Sequence, residues 1–268
     1  VQLIDAHCHA SPLWFEPVET LVFQMNRHAV EKAVLTQILG QFDNSYHEEC
    51  LARFPGRFAS VGAVDAGDAA APQQVSDWAR RGMTGLRLRP EARSPGVDPL
   101  AIWRAATDSR LAVSCGGSTE NFLSKEFAQL AAEFSSLPLV LEHLGGWTRP
   151  DCHREEGTWQ GILALARFPN VSLKIPALGQ LTTRRIGSPL PKAPPVLDAS
   201  KGAVLLEALD AFGAERLLWG SDFPVVASRE GYANALNWTL DLFAARSQPE
   251  VQAIFGGNAE RIFFTPAA

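Results

Sequence analysis

Eight short apolar runs, each followed by an amphipathic stretch, set the tightest limit on how this chain can fold. The runs are Leu3–Ala6, Ala33–Gln37, Phe58–Val64, Gly85–Leu88, Leu111–Ser114, Leu139–Glu142, Val171–Lys174 and Leu217–Gly220. Several lack polar alternation, as strands buried on both faces of a parallel sheet do. Helical patterns fill the gaps: Pro17–His28, Asn44–Phe54, Pro72–Arg81, Pro99–Ser109, Phe122–Phe134, Thr158–Arg167 and Ala203–Phe212, with Tyr232–Arg246 after the last run. Asp98 reads as a cap ahead of proline at the first helical position. Eight strand–helix units in series predict an α/β fold, a single (β/α)8 TIM barrel with residues 1–268 as one domain. An open doubly wound sheet would be expected to carry a nucleotide-binding glycine motif, and neither GxGxxG after a strand nor GxxxxGK[ST] occurs.

Residues 176–200 break the rhythm. They hold Pro176, Pro189, Pro191, Pro194 and Pro195, with Gly179 and Gly187. Proline opposes both ladder and helix. Placed after the seventh strand, the segment would hang over the catalytic face of a barrel as a lid; a surface excursion is the plainer alternative.

Composition narrows the partners. The chain is 46% hydrophobic and 20% charged, with a formal net charge of −5. The basic pairs Arg80-Arg81 and Arg184-Arg185 are too short to form the basic face that nucleic acid requires. No apolar run reaches membrane-spanning length and no secretory leader pattern is read at Val1, so no membrane partner is expected. Cys8, Cys50, Cys115 and Cys152 form no CxxC pair and no disulfide framework; they read as thiols in a reducing cytoplasm. The expected partner is a small molecule, with a homo-oligomer left open.

Three run ends carry chemistry. His7 and His9 end the first run two positions apart, which in a strand places them on one face, roughly 6–7 Å apart. His143 ends the sixth run before Gly145 and Gly146, which allow a tight exit. Asp222 follows the eighth run, where an aspartate can ligate metal, act as a base or cap a turn. In a closed barrel the first and eighth strands are neighbours, so His7, His9 and Asp222 would meet across more than two hundred residues. Two cationic positions complete the pattern. Arg87 and Arg89 flank Leu88 at the fourth run, where one strand face could present both to a substrate carboxylate or to a structural ion pair. Lys174 ends the seventh run, facing either substrate or a carboxylate. Tyr46 with His47, and Trp147 just after His143, are further pocket candidates. His28 ends a helical pattern, and His153 lies in a charged stretch read as an exposed loop.

With these residues in place, the chain resembles the amidohydrolase-related family. The motifs are Asp5-Ala6-His7-Cys8-His9, Glu142-His143-Leu144-Gly145, Trp219-Gly220-Ser221-Asp222-Phe223-Pro224 and Gly257-Asn258-Ala259-Glu260-Arg261-Ile262-Phe263, with Phe54-Pro55-Gly56-Arg57-Phe58 entering the third strand. The resemblance points to the lactonase branch and implies a hydrolase opening a carboxylated lactone or similar cyclic ester. Asp222 would be the general base, and His7, His9 and His143 would stabilise the oxyanion. An arginine at the position resembling Arg87 would bind the acid group. His7, His9 and Asp222 would hold one divalent metal ion, zinc by preference, if a metal is bound. The fifth run, ending Ser114-Cys115-Gly116-Gly117, lacks the histidine of metal-dependent members, so metal-independent activity stays open. Cys115 could substitute as a zinc thiolate or be an inert buried thiol. The alternatives are a metal-dependent decarboxylase of an aromatic or unsaturated acid on the same fold, and a barrel that binds a ligand without turnover.

Overall fold

All eight expected strands form and lie side by side in chain order. The computed structural model describes residues 1–13, 15–149, 152, 155, 157–181 and 202–265. The strands are β1 (Leu3–Cys8), β2 (Val30–Thr36), β3 (Phe58–Gly62), β4 (Gly85–Leu88), β5 (Ala112–Cys115), β6 (Leu139–Leu141), β7 (Val171–Ile175) and β8 (Leu217–Trp219). Each neighbouring pair is parallel. The last strand closes on the first through backbone bonds between the end of β1 and the residues just beyond β8. Asp222 N–H donates to the His7 carbonyl at 2.9 Å, and His9 N–H to the Phe223 carbonyl at 2.7 Å. The result is the (β/α)8 barrel.

The helices are α1 (Val18–Arg27), α2 (Ser45–Arg53), α3 (Ala71–Arg80), α4 (Ala101–Asp108), α5 (Thr119–Leu123), α6 (Lys125–Glu133), α7 (Thr158–Ala164), α8 (Ala203–Phe212), α9 (Tyr232–Leu242) and α10 (Gln248–Gln252). The helix expected over Phe122–Phe134 is two helices. Ser124 has extended backbone and its side chain caps α6 by accepting from Phe127 N–H, so the first helix stops where the second is capped. Of the proline-rich segment, only Pro176–Leu181 is described, with a single 3-10 turn at Leu178–Gln180. The rest of that segment, and His153, lie outside the described residues. Among the described residues no helix is long and apolar enough to cross a membrane.

Alternating strand positions feed two cores. Leu35, Leu86, Val113, Leu139, Leu141, Leu173 and Trp219 join the larger core beneath the helices. Ile4, Ala6, Val34, Ala59, Val61, Ala112, Val140 and Leu218 form a second cluster inside the barrel, joined by Ala259 and Phe263 from the C-terminal segment. The closing Gly257–Phe263 motif is thus a floor for the barrel. Asn258 Nδ2 donates to the carbonyls of Ala214 and Leu217, at 2.7 and 2.8 Å, tying this floor to the entry of β8.

The parity that builds the apolar floor also decides what lies above it. Arg87, Ser114, Glu142 and Lys174 alternate with outward residues of β4 to β7 and point inward as a buried polar layer. In β1, Ile4 and Ala6 belong to the inner cluster and Cys8 to the outer one. The pairing with β2 is irregular between Asp5 and Cys8. Such an irregularity re-aims side chains, and here it turns both His7 and His9 to the mouth.

Candidate active site

The expected quartet meets at the C-terminal end of the strands. The His7 ring lies 4.9 Å from that of His9 and 5.1 Å from that of His143, centroid to centroid. Asp222 Oδ1 stands 3.6 Å from His9 Nε2 and 3.9 Å from His7 Nε2. His143 and Asp222 both sit at positive φ, 53° and 59°, a region few non-glycine residues adopt. Gly220 is a close-approach position: a Cβ there would fall 2.6 Å from the His7 Cβ. Asp5 staples the two strands behind the histidines. Its carboxylate accepts from His7 N–H (3.2 Å), Ser221 N–H (2.9 Å), the Ser221 hydroxyl (2.5 Å) and the Tyr232 hydroxyl (3.0 Å).

The hydrogen bonds around the quartet set its proton positions. His9 Nδ1 lies 2.6 Å from the Thr36 carbonyl, which only accepts, so Nδ1 carries the proton and Nε2 turns a lone pair toward Asp222. Gln180, absent from the sequence reading, orients two of the four residues. Its Nε2 donates to Asp222 Oδ2 at 2.7 Å, so its Oε1 faces His143 Nδ1 at 3.2 Å and the Thr148 hydroxyl at 2.8 Å. His143 Nδ1 is therefore the donor, and its Nε2 is unprotonated. The His9 Nε2 lone pair faces a carboxylate oxygen of Asp222 3.6 Å away, and electron-pair donors facing one another call for a cation or a proton between them.

His7 is the adjustable member. Its Nδ1 lies 3.0 Å from Lys174 Nζ, which also donates to Ser114 Oγ at 2.8 Å. A protonated Lys174 donates to Nδ1 and leaves the proton on Nε2. A neutral Lys174 accepts from Nδ1–H and frees the Nε2 lone pair. Burial and the Arg87 charge push Lys174 down to about 8, although Glu142 opposes them. His7 Nε2 is buried without a hydrogen-bond partner among the described residues. Ligand atoms of His7, His9 and Asp222 lie within 4.8 Å of one another. The donor set therefore fits one divalent ion. Cys115 belongs neither to this donor group nor to the second one among the described residues, His7, Glu142 and His143, and burial pushes its thiol well up.

Asp222 is nine-tenths buried, which by itself would raise its pKa; with a proton in place between His9 Nε2 and its carboxylate, that hydrogen bond and the charges of His143, His9 and Arg229 outweigh burial and hold it below the usual carboxylate value. His143 is lowered by burial, and His7 well lowered by burial and Lys174.

The expected substrate contacts are placed differently. Arg87 lies inside the barrel, its guanidinium gripping Glu142 through Nε (2.9 Å) and Nη2 (2.6 Å), with Nη1 on the Gln37 carbonyl at 2.7 Å. Arg89 does not share that face: it lies beyond the end of β4, is mostly exposed and stands 3.8 Å from Glu91. Lys174 sits beneath the histidines. The Tyr46 hydroxyl accepts from Val18 N–H at 3.0 Å, and Trp147 packs on Trp159 with ring centroids 5.3 Å apart. Tyr46 and His47 line a cavity of about 380 Å³ with Ala10 and Gln37. Arg229, also absent from the sequence reading, reaches Asp222 Oδ2 at 3.5 Å.

His47 gives a pH prediction. It is buried with Nδ1 3.1 Å from Ser60 Oγ and Nε2 unpartnered among the described residues. Burial, reinforced by His9, pushes it from 6.5 to about 4. The unfolded chain thus takes up this proton first as pH falls, and stability is lost from about 6.5 toward 4. Over that window His47→Gln should remove about one proton from the pH slope of unfolding free energy, roughly 1.4 kcal/mol per pH unit. Urea denaturation at several pH values checks this, and parallel slopes would contradict it.

A (β/α)8 barrel with three histidines and an aspartate at the C-terminal mouth defines a class of enzyme in which strand ends carry the chemistry. The chain belongs to the Amidohydrolase family, which matches residues 4–265; it is a hydrolase of the amidohydrolase superfamily. It is 28% identical over 286 residues to the L-fucono-1,5-lactonase of Burkholderia ambifaria, covering 96% of this chain and 93% of that protein. Two other curated relatives match over only 43% of their own length. The fold is similar to an amidohydrolase from Burkholderia multivorans solved with bound zinc (TM-score 0.76, 20% identity, 99% of this chain and 100% of that one). It is also similar to a Pseudomonas putida protein solved as a candidate 2-pyrone-4,6-dicarboxylic acid hydrolase (TM-score 0.75, 21% identity, 98% and 97% covered).

Proposed function

We propose that this protein hydrolyses a lactone or similar cyclic ester carrying a carboxylate, with Asp222 as general base. The observation that carries the reading is the Asp222 carboxylate, 3.6 and 3.9 Å from two imidazoles at the barrel mouth. Asp222 takes a proton from water as the water oxygen bonds to the ring carbonyl carbon. When the ring C–O bond breaks, Asp222 returns that proton to the leaving oxygen, and a hydroxy acid results. Where no ion takes the His7 Nε2 lone pair, His7, protonated on Nε2 while Lys174 donates to Nδ1, can donate to the developing oxyanion. Gln180 and Arg229 hold the outer carboxylate oxygen, leaving the inner one to work. The names of the B. ambifaria lactonase and the P. putida protein support a lactone, the second an acidic one.

His7, His9 and Asp222 would hold a divalent ion, zinc by the nitrogen and oxygen donors present. Bound there, it would polarise the carbonyl and make water more acidic. The purified protein should carry close to one equivalent of zinc. Chelation should slow turnover on the order of 100-fold, a few kcal/mol of barrier, with zinc restoring it. Full activity in a metal-free preparation would remove the ion from the reading.

The test of function is a panel of sugar 1,5-lactones and carboxylated lactones, followed by hydroxy-acid release, with carbon dioxide measured in parallel on aromatic and unsaturated acids. Hydroxy acid without carbon dioxide supports lactone hydrolysis. Carbon dioxide alone would make the protein a decarboxylase, and binding without turnover would make it a ligand-binding barrel.

A further inference from the structure

The cationic side chains that the sequence offered for an acidic substrate are engaged elsewhere. Arg87 is bound to Glu142 and Gln37, Lys174 to His7 and Ser114, and Arg89 lies outside the barrel beside Glu91. Arg229, seven residues beyond Asp222, is different. Its Nη1 lies 3.5 Å from Asp222 Oδ2 and its Nε 3.3 Å from Glu230 Oε2. Its Nη2 is buried and has no hydrogen-bond partner among the described residues.

The Arg87 contacts with Glu142 are 2.9 and 2.6 Å, those of a committed pair. The Arg229 contacts are at the long limit for hydrogen bonds, so its guanidinium is only partly engaged. Its position is built in. Glu230 accepts from Gly179 N–H at 3.0 Å, and a Cβ on Gly179 would fall 1.9 Å from the Glu230 carboxylate. A glycine is needed there for backbone to meet carboxylate, and the carboxylate then holds Nε of Arg229. A buried guanidinium nitrogen without an acceptor is costly, and the guanidinium plane suits a carboxylate above other acceptors.

We propose that Arg229 binds the carboxylate of the substrate beside Asp222, so that the acid group is read from the eighth strand's loop and not by Arg87. The proposal deepens the lactone reading and rests on it for the reaction, while carboxylate binding itself does not require turnover.

Two measurements on the purified full chain separate those outcomes. The first is the ratio of kcat/KM for a carboxylated δ-lactone to that for an uncharged δ-lactone. Arg229→Gln should lower this ratio about 100-fold, mainly through KM, as loss of one partner of a desolvated charge pair does, and Arg229→Lys should recover part of it. The second is calorimetric binding of glutarate, an unreactive dicarboxylate, which should weaken by a similar factor in Arg229→Gln. If Arg229 only steadies Asp222, both lactones fall together, the ratio holds and the acid limb of the pH profile moves; that overturns the proposal. So does glutarate binding that is absent or indifferent to Arg229. If the wild type opens no lactone, the reaction is wrong and glutarate alone decides on the subsite. Should Arg229→Gln fail to fold, Arg229→Lys carries both readings.

Discussion

Asp222→Asn should lower kcat about 1,000-fold, within the range a positioned general base supplies, while the protein stays folded. The substitution keeps the shape and removes the proton acceptor. Gln180 Nε2 and Arg229 Nη1 both donate toward Oδ2, and His9 Nε2 presents a lone pair toward Oδ1. An amide satisfies this arrangement, its oxygen toward Gln180 and Arg229 and its nitrogen toward His9. Stability should therefore move little. Rates of hydroxy-acid release and thermal unfolding, measured on the same preparations, check the two halves. A variant turning over at near-normal rates would refute Asp222 as the base. Because the Asp222 pKa is held below 3.8, its own acid limb lies below that pH.

The second large effect is on stability. Glu142 is buried, which alone would raise its pKa, but Arg87 and Lys174 keep it ionised far below the usual carboxylate range. Ser114 adds a hydrogen bond to Oε1 at 2.7 Å. Removing one partner leaves a charge inside the barrel without its counter-ion, which costs about 3–5 kcal/mol. Arg87→Met and Glu142→Leu should each lower Tm by roughly 10 °C in a chain of this size. The double variant should cost clearly less than the sum, because the second change removes the stranded charge. Chemical denaturation of all four proteins gives the coupling. Arg87→Met with unchanged stability and a raised KM for acidic lactones alone would return Arg87 to the role its sequence position suggested.

Arg87 shows why side-chain roles were harder to read than strands. Its place after Leu86 in a short apolar run was plain, and both a carboxylate reader and an ion pair suited an arginine there. The choice depended on Glu142, fifty-five residues away, arriving at the same height in the barrel. Arg89 does not share the Arg87 face for a local reason: β4 ends at Leu88, so the two-residue alternation that would have paired the two stops one residue short. Gln180 and Arg229 lie in loops without periodicity, and no spacing marks a glutamine that ends a single 3-10 turn. Thr36 acts through its carbonyl, a group every residue has.

What the chain determined by itself was the run of eight buried strands and the ends at which His7, His9, His143 and Asp222 stand, because apolar runs and their terminators are local properties of the sequence. What only the tertiary structure decided was which lone pair faces which, the irregularity in β1 that turns both histidines inward, and the commitment of Arg87 and Lys174 beneath the site. Those depend on barrel closure. A side chain's proton, charge partner and direction are set by atoms brought within about 3 Å from strands far apart in sequence.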